Sequence, residues 1–269
     1  MTKEVSQNEL TLRQDRLATL GILSAGLAHE INNPLAYVLA NVRFLSREIL
    51  ELKAQLSNGT KSLEEALPQL SEWAEVLAES IEGVQNISKL VRDMKGFARG
   101  GTHQLEWFEL QEVIEASLRI VRHEMKHRIA LTKRVDTFLP CLYGNPSQLQ
   151  QVFVNLLMNA AQAMDNLPEA AGKVDIVLTR KGAGVSAIIK DNGRGIPAEH
   201  MDKLFLPFFT SKSSEKGTGL GLFICNQLVG MHGGRLRLES HTGKGTTVHV
   251  WLPVQNAKAS TEEFVVAPM

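Results

Sequence analysis

The sequence predicts an α+β protein in two parts: an antiparallel helical hairpin that dimerises into a four-helix bundle, followed by an α/β sandwich with a mixed sheet. Three observations predict it. Apolar residues recur at steps of three and four from Leu10 to Leu56 and again from Leu70 to Met94. Turn formers, Ser57-Asn58-Gly59-Thr60, separate the two stretches. After Gly100-Gly101 the pattern changes to short strands interleaved with amphipathic helices. The implied boundaries are an N-terminal extension over 1–11, the hairpin over 12–99, a hinge linker over 100–104, the mixed domain over 105–254 and a tail over 255–269.

The first stripe runs Leu17, Leu20, Leu27, Ile31, Leu35, Val38, Val42, Leu45, Ile49, Leu52 and Leu56, with Ser24 at the one seam position that is not strongly apolar. This is a heptad seam, longer than a helix of a single compact domain usually needs. Two successive steps of four, Leu27 to Ile31 to Leu35, make a stutter that coincides with Pro34, a residue with no backbone N–H to donate. Ser62-Leu63-Glu64-Glu65 reads as a capping box, and Pro68 restricts where the second helix begins. The second stripe is Leu70, Trp73, Leu77, Ile81, Val84, Ile87, Val91 and Met94. A lone hairpin cannot bury both stripes, so a homodimer is expected; the alternative is a hairpin packed on the rest of its own chain.

Bulk properties bound the function. The 269 residues carry 29 basic and 29 acidic side chains, which argues against a nucleic-acid binder or a polybasic membrane anchor. An apolar share of 43% is globular. Cys141 and Cys225 lie far apart, in neither metal nor disulfide spacing, and are expected to be buried fillers in a reducing compartment. No apolar run reaches membrane-spanning length and the first ten residues are polar, so the expectation is a soluble, cytoplasmic chain.

In the second part, Trp107 to Leu110 reads as a strand, Glu112 to Lys126 as a helix and Ile129 to Val135 as a strand. Pro146 opens a helix to about Asp165. Val174–Thr179 and Val185–Lys190 form a β-pair around Gly182-Ala183-Gly184, Leu220–Met231 is helical, and Arg235–Glu239 and Thr246–Leu252 close the domain.

Four segments here carry chemistry. Asn155 and Asn159 are four apart on one helix face, and their amide oxygens suit a hydrated divalent cation bridging phosphates. Asp191-Asn192-Gly193-Arg194-Gly195 follows a strand; the carboxylate can accept from an exocyclic amine, and the glycines let backbone approach a flat base. Gly217-Thr218-Gly219-Leu220-Gly221 leads into a helix whose start offers free amides to phosphate oxygens; it is neither a Rossmann fingerprint nor a P-loop. The segment before it, Phe205 to Lys216, with Lys212, looks like a hinged lid. Gly243-Lys244-Gly245-Thr246 is a turn before the last strand, and Gly245 and Thr246 can border the same ligand.

In this order and spacing the four segments resemble the ATP-binding domain shared by histidine kinases, gyrase-type topoisomerases, heat-shock chaperone ATPases and mismatch-repair ATPases, over about 106–253. The resemblance implies that ATP binds through Asn155, Asn159, Asp191, Gly193, Gly195, Lys212, Gly217, Thr218, Gly219, Leu220, Gly221 and Thr246. It also implies that Asn159 ligates Mg2+ and Asp191 reads adenine. The hydrolysing branches place a glutamate where Asn155 stands; an amide cannot take a proton from water, so transfer is favoured over hydrolysis.

His29-Glu30-Ile31-Asn32-Asn33-Pro34-Leu35 is similar to the phosphoacceptor box of histidine kinases. His29 lies two residues past seam residue Leu27, which turns it away from the seam and out to solvent. A neutral imidazole is nucleophilic near neutral pH, and Glu30 beside it can take its proton. The resemblance assigns Asn33 a possible role in dephosphorylating the partner. His123-Glu124-Met125-Lys126-His127 matches a zinc-protease pattern, but Arg122, Lys126 and Arg128 crowd it with cations, and a solvated helix end is the better reading.

The expectation is therefore a protein histidine kinase. Mg-ATP binds the second domain, the γ-phosphate passes to His29, and an aspartate of a response-regulator receiver takes it on. An unknown upstream sensor supplies the signal. The rivals are a conformational ATPase with the hairpin as a dimerising arm, and a catalytically inactive dimeric scaffold.

Overall fold

The computed structural model describes residues 2–99, 105–126, 128–165, 167–168, 170–210 and 218–254. The linker over 100–104, the tail over 255–269 and the lid residues 211–217, among them Lys212 and Gly217, lie outside the described residues. The chain divides into two compact units: Met1–Arg99 with Leu206–Gly221, and Gly100–Phe205 with Leu222–Met269.

In the first unit, α1 (Thr2–Ser57) and α2 (Leu63–Arg99) form the hairpin. Helix α1 begins at Thr2, so the stretch read as an N-terminal extension, 1–11, is helical from its second residue. That stretch holds neither Gly nor Pro to stop the helix, although its apolar periodicity is absent. The capping box forms as expected: the Ser62 N–H donates to Glu65 Oε2 at 2.8 Å, and the Glu65 N–H donates to Ser62 Oγ at 3.3 Å. Pro68 stands inside α2 rather than delaying its start, six residues in, where only the Glu64 carbonyl loses a partner.

The heptad seam splits in two. Leu45 (8% exposed) and Leu52 (6%) pack with Ala66, Trp73 and Val76 within the hairpin, whereas Val42 (50%) and Ile49 (52%) stay open. On α2 the inward face is Ala66, Trp73, Ser80, Gly83 and Leu90, while Leu70, Leu77, Ile81, Val84 and Val91 are exposed. The apolar stripe read from the sequence is thus mostly the outward one. Small residues hide the inward face: a Cβ on Gly83 would stand 2.6 Å from Val38 Cγ2 and 2.7 Å from the Tyr37 hydroxyl, so α1 and α2 meet closely there only because the side chain is missing.

In the second unit, five strands pair in the order β2-β4-β5-β7-β6: β2 (Ile129–Val135), β4 (Gly172–Lys181), β5 (Gly184–Asp191), β6 (Arg235–His241) and β7 (Gly245–Pro253). The β2–β4 pair is parallel and the others are antiparallel, which makes the sheet mixed. A separate two-stranded ladder joins β1 (Glu106–Phe108) to β3 (Leu142–Gly144). Leu110 belongs to α3 (Leu110–Met125), not to β1, and is fully buried there. The remaining α-helices among the described residues are α4 (Pro146–Ala163) and α5 (Gly221–Met231), with a 3-10 turn over Ala198–Lys203 between β5 and α5.

Period-two alternation selects the sheet face that forms the core. Val174, Ile176 and Leu178 on β4, Val185, Ala187 and Ile189 on β5, and Val248, Val250 and Leu252 on β7 are all buried. The register places them opposite one another, Ile176 against Ile189 and Ile189 against Val248. Helix α4 packs on β5 and β7 from this side through Leu149, Val152, Phe153, Leu156 and Leu157. Cys225 is buried as expected; Cys141 is not, because it lies in the exposed connection just before β3.

Candidate functional site

The same alternation that builds the core carries a carboxylate into it. Asp191 ends β5 and pairs with Val174, so it shares the core face with Ile189 and Ala187 and is only 5% exposed. Its Oδ1 accepts from the Gly193 N–H at 2.8 Å and from the Thr246 N–H at 3.2 Å. Burial pushes the carboxyl above the usual aspartate range, and those two amides pull it partly back. Two loops distant in sequence therefore converge on one oxygen. The second, Oδ2, can meet a donor from a ligand.

Bare backbone makes this convergence possible. A Cβ on Gly193 would come 2.7 Å from the Ala163 carbonyl oxygen at the end of α4. Gly195 takes φ +69° and Gly245 φ +90°; side chains there would collide with the His241 carbonyl and the Asp191 carbonyl respectively. The loop after β5 is tied down on three sides. Arg194 N–H donates to the Ala163 carbonyl at 3.0 Å, Gly243 N–H to the Arg194 carbonyl at 2.7 Å, and Ile196 N–H to Ser240 Oγ at 2.9 Å. Asn192 pins it to the start of β4, its Oδ1 accepting from Lys173 N–H at 2.6 Å and its Nδ2 donating to the Ala171 carbonyl at 2.9 Å.

Asn155 and Asn159 sit on α4, whose start is fixed by Asn145: the side-chain oxygen accepts from Ser147 N–H at 3.0 Å and Gln148 N–H at 3.2 Å, and Pro146 fills the first helical position. The Asn155 Nδ2 is buried and meets no partner in the protein. A buried amide left unmatched costs about 1–3 kcal/mol, so it marks a place built for something else. The donors and acceptors present, an amide pair on α4 and a buried carboxylate on β5, fit a nucleotide with a hard cation.

In the first unit, Thr218, Gly219 and Leu220 lead into Gly221, the first residue of α5. Gly219 adopts φ +65°, and a Cβ would strike the Phe208 backbone. Leu220 N–H donates to Thr218 Oγ1 at 3.5 Å.

On α1, Leu27 is buried and His29 exposed, the rotation that two helical steps impose. The ring nitrogen Nδ1 lies 3.1 Å from Asn33 Nδ2, one turn further on. Glu30, the neighbour in sequence, is half-buried. Helix α3 ends at Met125 with His123 and Glu124 exposed, and His127 lies outside the described residues. No group of three His, Cys, Asp or Glu able to hold a metal occurs among the described residues.

Sequence reasoning missed three parts. The His29–Asn33 contact was available from the i, i+4 spacing. Ser240 and Asn192 act through backbone partners, which no residue pattern signals.

Comparisons with known proteins bear on both units. A family model described as the histidine kinase-, DNA gyrase B- and HSP90-like ATPase matches residues 144–256, and the His Kinase A (phospho-acceptor) domain matches 19–103. The sensor histidine kinase ZraS of Escherichia coli K12 is 30% identical over 94% of this chain and 49% of its own length. The signal transduction histidine-protein kinase AtoS of the same organism is 32% identical, over 89% of this chain and 36% of its own. The chain thus spans half or less of the curated relatives it matches. Among solved structures, histidine kinase ThkA in complex with response regulator protein TrrA is 23% identical with TM-score 0.64, covering 96% of this chain and 69% of that one, a likeness of fold. The ThkA catalytic domain alone is 28% identical with TM-score 0.50, covering 56% of this chain and 96% of the other. No helix among the described residues is long and apolar enough to cross a membrane.

Proposed function

This chain belongs to the sensor histidine kinases of two-component systems, and from that premise we propose that it moves the γ-phosphate of ATP onto its own His29 and then to an aspartate of a response-regulator receiver. The observation that carries the reading is the state of His29: exposed, with Nδ1 engaged by Asn33. The Asn33 Nδ2 group faces Nδ1 and donates to it; a half-turn of the amide brings its oxygen there instead, so that Nδ1 carries the proton and Nε2 presents its lone pair. The Asn33 amide has a donor and an acceptor arm, so it serves either tautomer.

In the reaction, Nε2 attacks the γ-phosphorus, the bond to the β,γ-bridging oxygen breaks, and ADP leaves. The Nδ1 proton passes to the Glu30 carboxylate, which acts as general base. Asp191 reads adenine through Oδ2, while the Gly193 and Thr246 amides hold Oδ1. Gly193 and Gly195 admit the base. Asn155 and Asn159 hold the phosphate end, with Asn159 the ligand to Mg2+, an ion that neutralises phosphate charge when bound. Lys212, Gly217, Thr218, Gly219, Leu220 and Gly221 supply the lid and the helix-start amides. We assign 12–99 to dimerisation and phosphotransfer, 100–104 to a hinge and 105–254 to ATP binding, in a chain working in the cytoplasm beneath an upstream sensor. The open seam, Val42 and Ile49 with Leu77, Ile81 and Val84, supports a homodimer through the hairpin. Asn33 equips the same surface to dephosphorylate the receiver.

The test is incubation with Mg2+ and γ-labelled ATP, native chain against His29→Gln. Label that survives alkali, is lost in acid and vanishes in the variant is the expected result. Nucleotide binding without label would leave a scaffold, and turnover untouched by His29→Gln would leave a conformational ATPase.

A further inference from the structure

We propose that His232 is a positioning residue for nucleotide binding: it clamps the end of α5 to the start of α4 and so sets where Asn155 and Asn159 stand. The proposal rests on the nucleotide-site reading above.

His232 follows the last residue of α5. Its Nδ1 lies 2.8 Å from the Leu228 carbonyl, and its Nε2 accepts from the Asn145 N–H at 3.1 Å. A carbonyl only accepts and a backbone N–H only donates, so the ring must be neutral with its proton on Nδ1. Both partners are backbone groups at helix ends, where the helices themselves leave donors and acceptors over. Leu228 stands in the last turn of α5, and its carbonyl is closed by the ring while the His232 N–H turns to Val229. Asn145 is the N-cap of α4; its amide goes to His232 and its side chain to the first amides of the helix. Gly144 is bare where the ring lies: a Cβ there would stand 3.0 Å from Nε2.

The clamp reaches the site through two stiff rods. Cys225 Sγ donates to the Val152 carbonyl at 3.6 Å. Cys225 is seven residues before His232 and Val152 seven after Asn145, so α4 and α5 run antiparallel and in step from the clamp onward. At about 1.5 Å per residue, Asn155 lies roughly 15 Å along α4 from Asn145, level with the first turn of α5. A helix transmits an axial shift undiminished over such a length. Loss of the clamp therefore displaces the two asparagines along α4 relative to α5, and a misplacement of this kind weakens binding without removing any ligand contact.

The experiment is calorimetric titration of the full chain with Mg-ADP for the native protein, His232→Phe and His232→Gln, with the imidazole tautomer of the native protein read by long-range proton–nitrogen NMR. Phenylalanine keeps the ring and loses both bonds; glutamine carries a donor arm and an acceptor arm at similar spacing and restores them. The expected result is affinity about tenfold weaker for His232→Phe, recovery to within about threefold for His232→Gln, and a ring protonated on Nδ1. Native-like affinity in His232→Phe, an equal loss in both variants, or a ring protonated on Nε2 would overturn the clamp. If His232→Phe does not fold, the glutamine variant and the tautomer decide it. A native chain that binds no Mg-ADP would instead sink the nucleotide-site reading, a separate outcome.

Discussion

Replacing Asp191 with asparagine separates recognition from folding. In the native protein Oδ1 accepts from two amides, Gly193 N–H at 2.8 Å and Thr246 N–H at 3.2 Å. Asparagine keeps a carbonyl oxygen for both, so the loops stay joined. It exchanges Oδ2 for an NH2, which meets the adenine amine donor to donor. Losing a hydrogen bond to a buried charged group costs about 1.5–3 kcal/mol, which is roughly 10- to 150-fold in affinity for ATP. Stability should move the other way. The native carboxyl titrates above its unfolded value, so the native state holds more protons than the unfolded state between the two. Across that window, from about pH 4 upward, the group's contribution falls as pH rises; the variant lacks this slope and at pH 7 should be at least as heat-stable as the native chain without nucleotide. Calorimetric titration with ATP and scanning calorimetry across the acid range measure both. Unchanged ATP affinity in a folded variant would refute the adenine role, and a marked drop in melting temperature would refute the claim that a neutral carbonyl oxygen suffices for the Gly193 and Thr246 amides.

Other expectations follow from the same geometry. Asn145→Ala removes the α4 cap and should cost about 1–2 kcal/mol in denaturant unfolding of the second unit. Leu45→Ala opens a cavity in the hairpin core and should cost about 2–5 kcal/mol, whereas Val42→Lys with Ile49→Lys should leave nucleotide affinity intact and lower the sedimentation mass to that of a monomer. The Glu65 carboxyl is held below the usual glutamate range, first by the Ser62 backbone N–H and then by its hydroxyl. The capping box therefore adds stability above the ordinary glutamate pKa and loses it as pH falls through the lowered value; Glu65→Gln should flatten that acid limb in hairpin circular dichroism.

Much of this was legible because strong local signals agreed. Pro146 marked a helix start, and Asp191 at a strand end and paired glycines marked close backbone approach. The two-period alternation of β4, β5 and β7 is present in the sequence too, but a strand ended at Lys190 leaves Asp191 outside the alternation and its burial unforeseen. Other features were hidden for physical reasons. Strand β3 has three residues, too few for alternation to register. Between Trp73 and Leu90 the inward face of α2 is carried by Ser80 and Gly83, residues with little hydrophobic signal, so the louder outward stripe dominates the apolar pattern there. Cys141 looks like a core residue by type, yet only its position before β3 exposes it. The bonds of Ser240 depend on tertiary placement that no local pattern encodes, whereas the Asn33 contact of His29 needs only the spacing of four.

The divided seam of the hairpin has an evolutionary consequence. Leu45 and Leu52 answer to residues elsewhere in the same polypeptide, so a change on one helix can be matched by a change on the other. Val42 and Ile49, if they meet a second copy, answer to themselves: each substitution arrives twice, related by a two-fold axis, and must tolerate its own image. Where a cell holds many hairpins of this plan, that self-matching rule drives each lineage toward a private surface, and mixed pairs with other lineages are disfavoured by poor fit alone. One face of the hairpin is thus free to drift in concert, and the other becomes a mark of kinship.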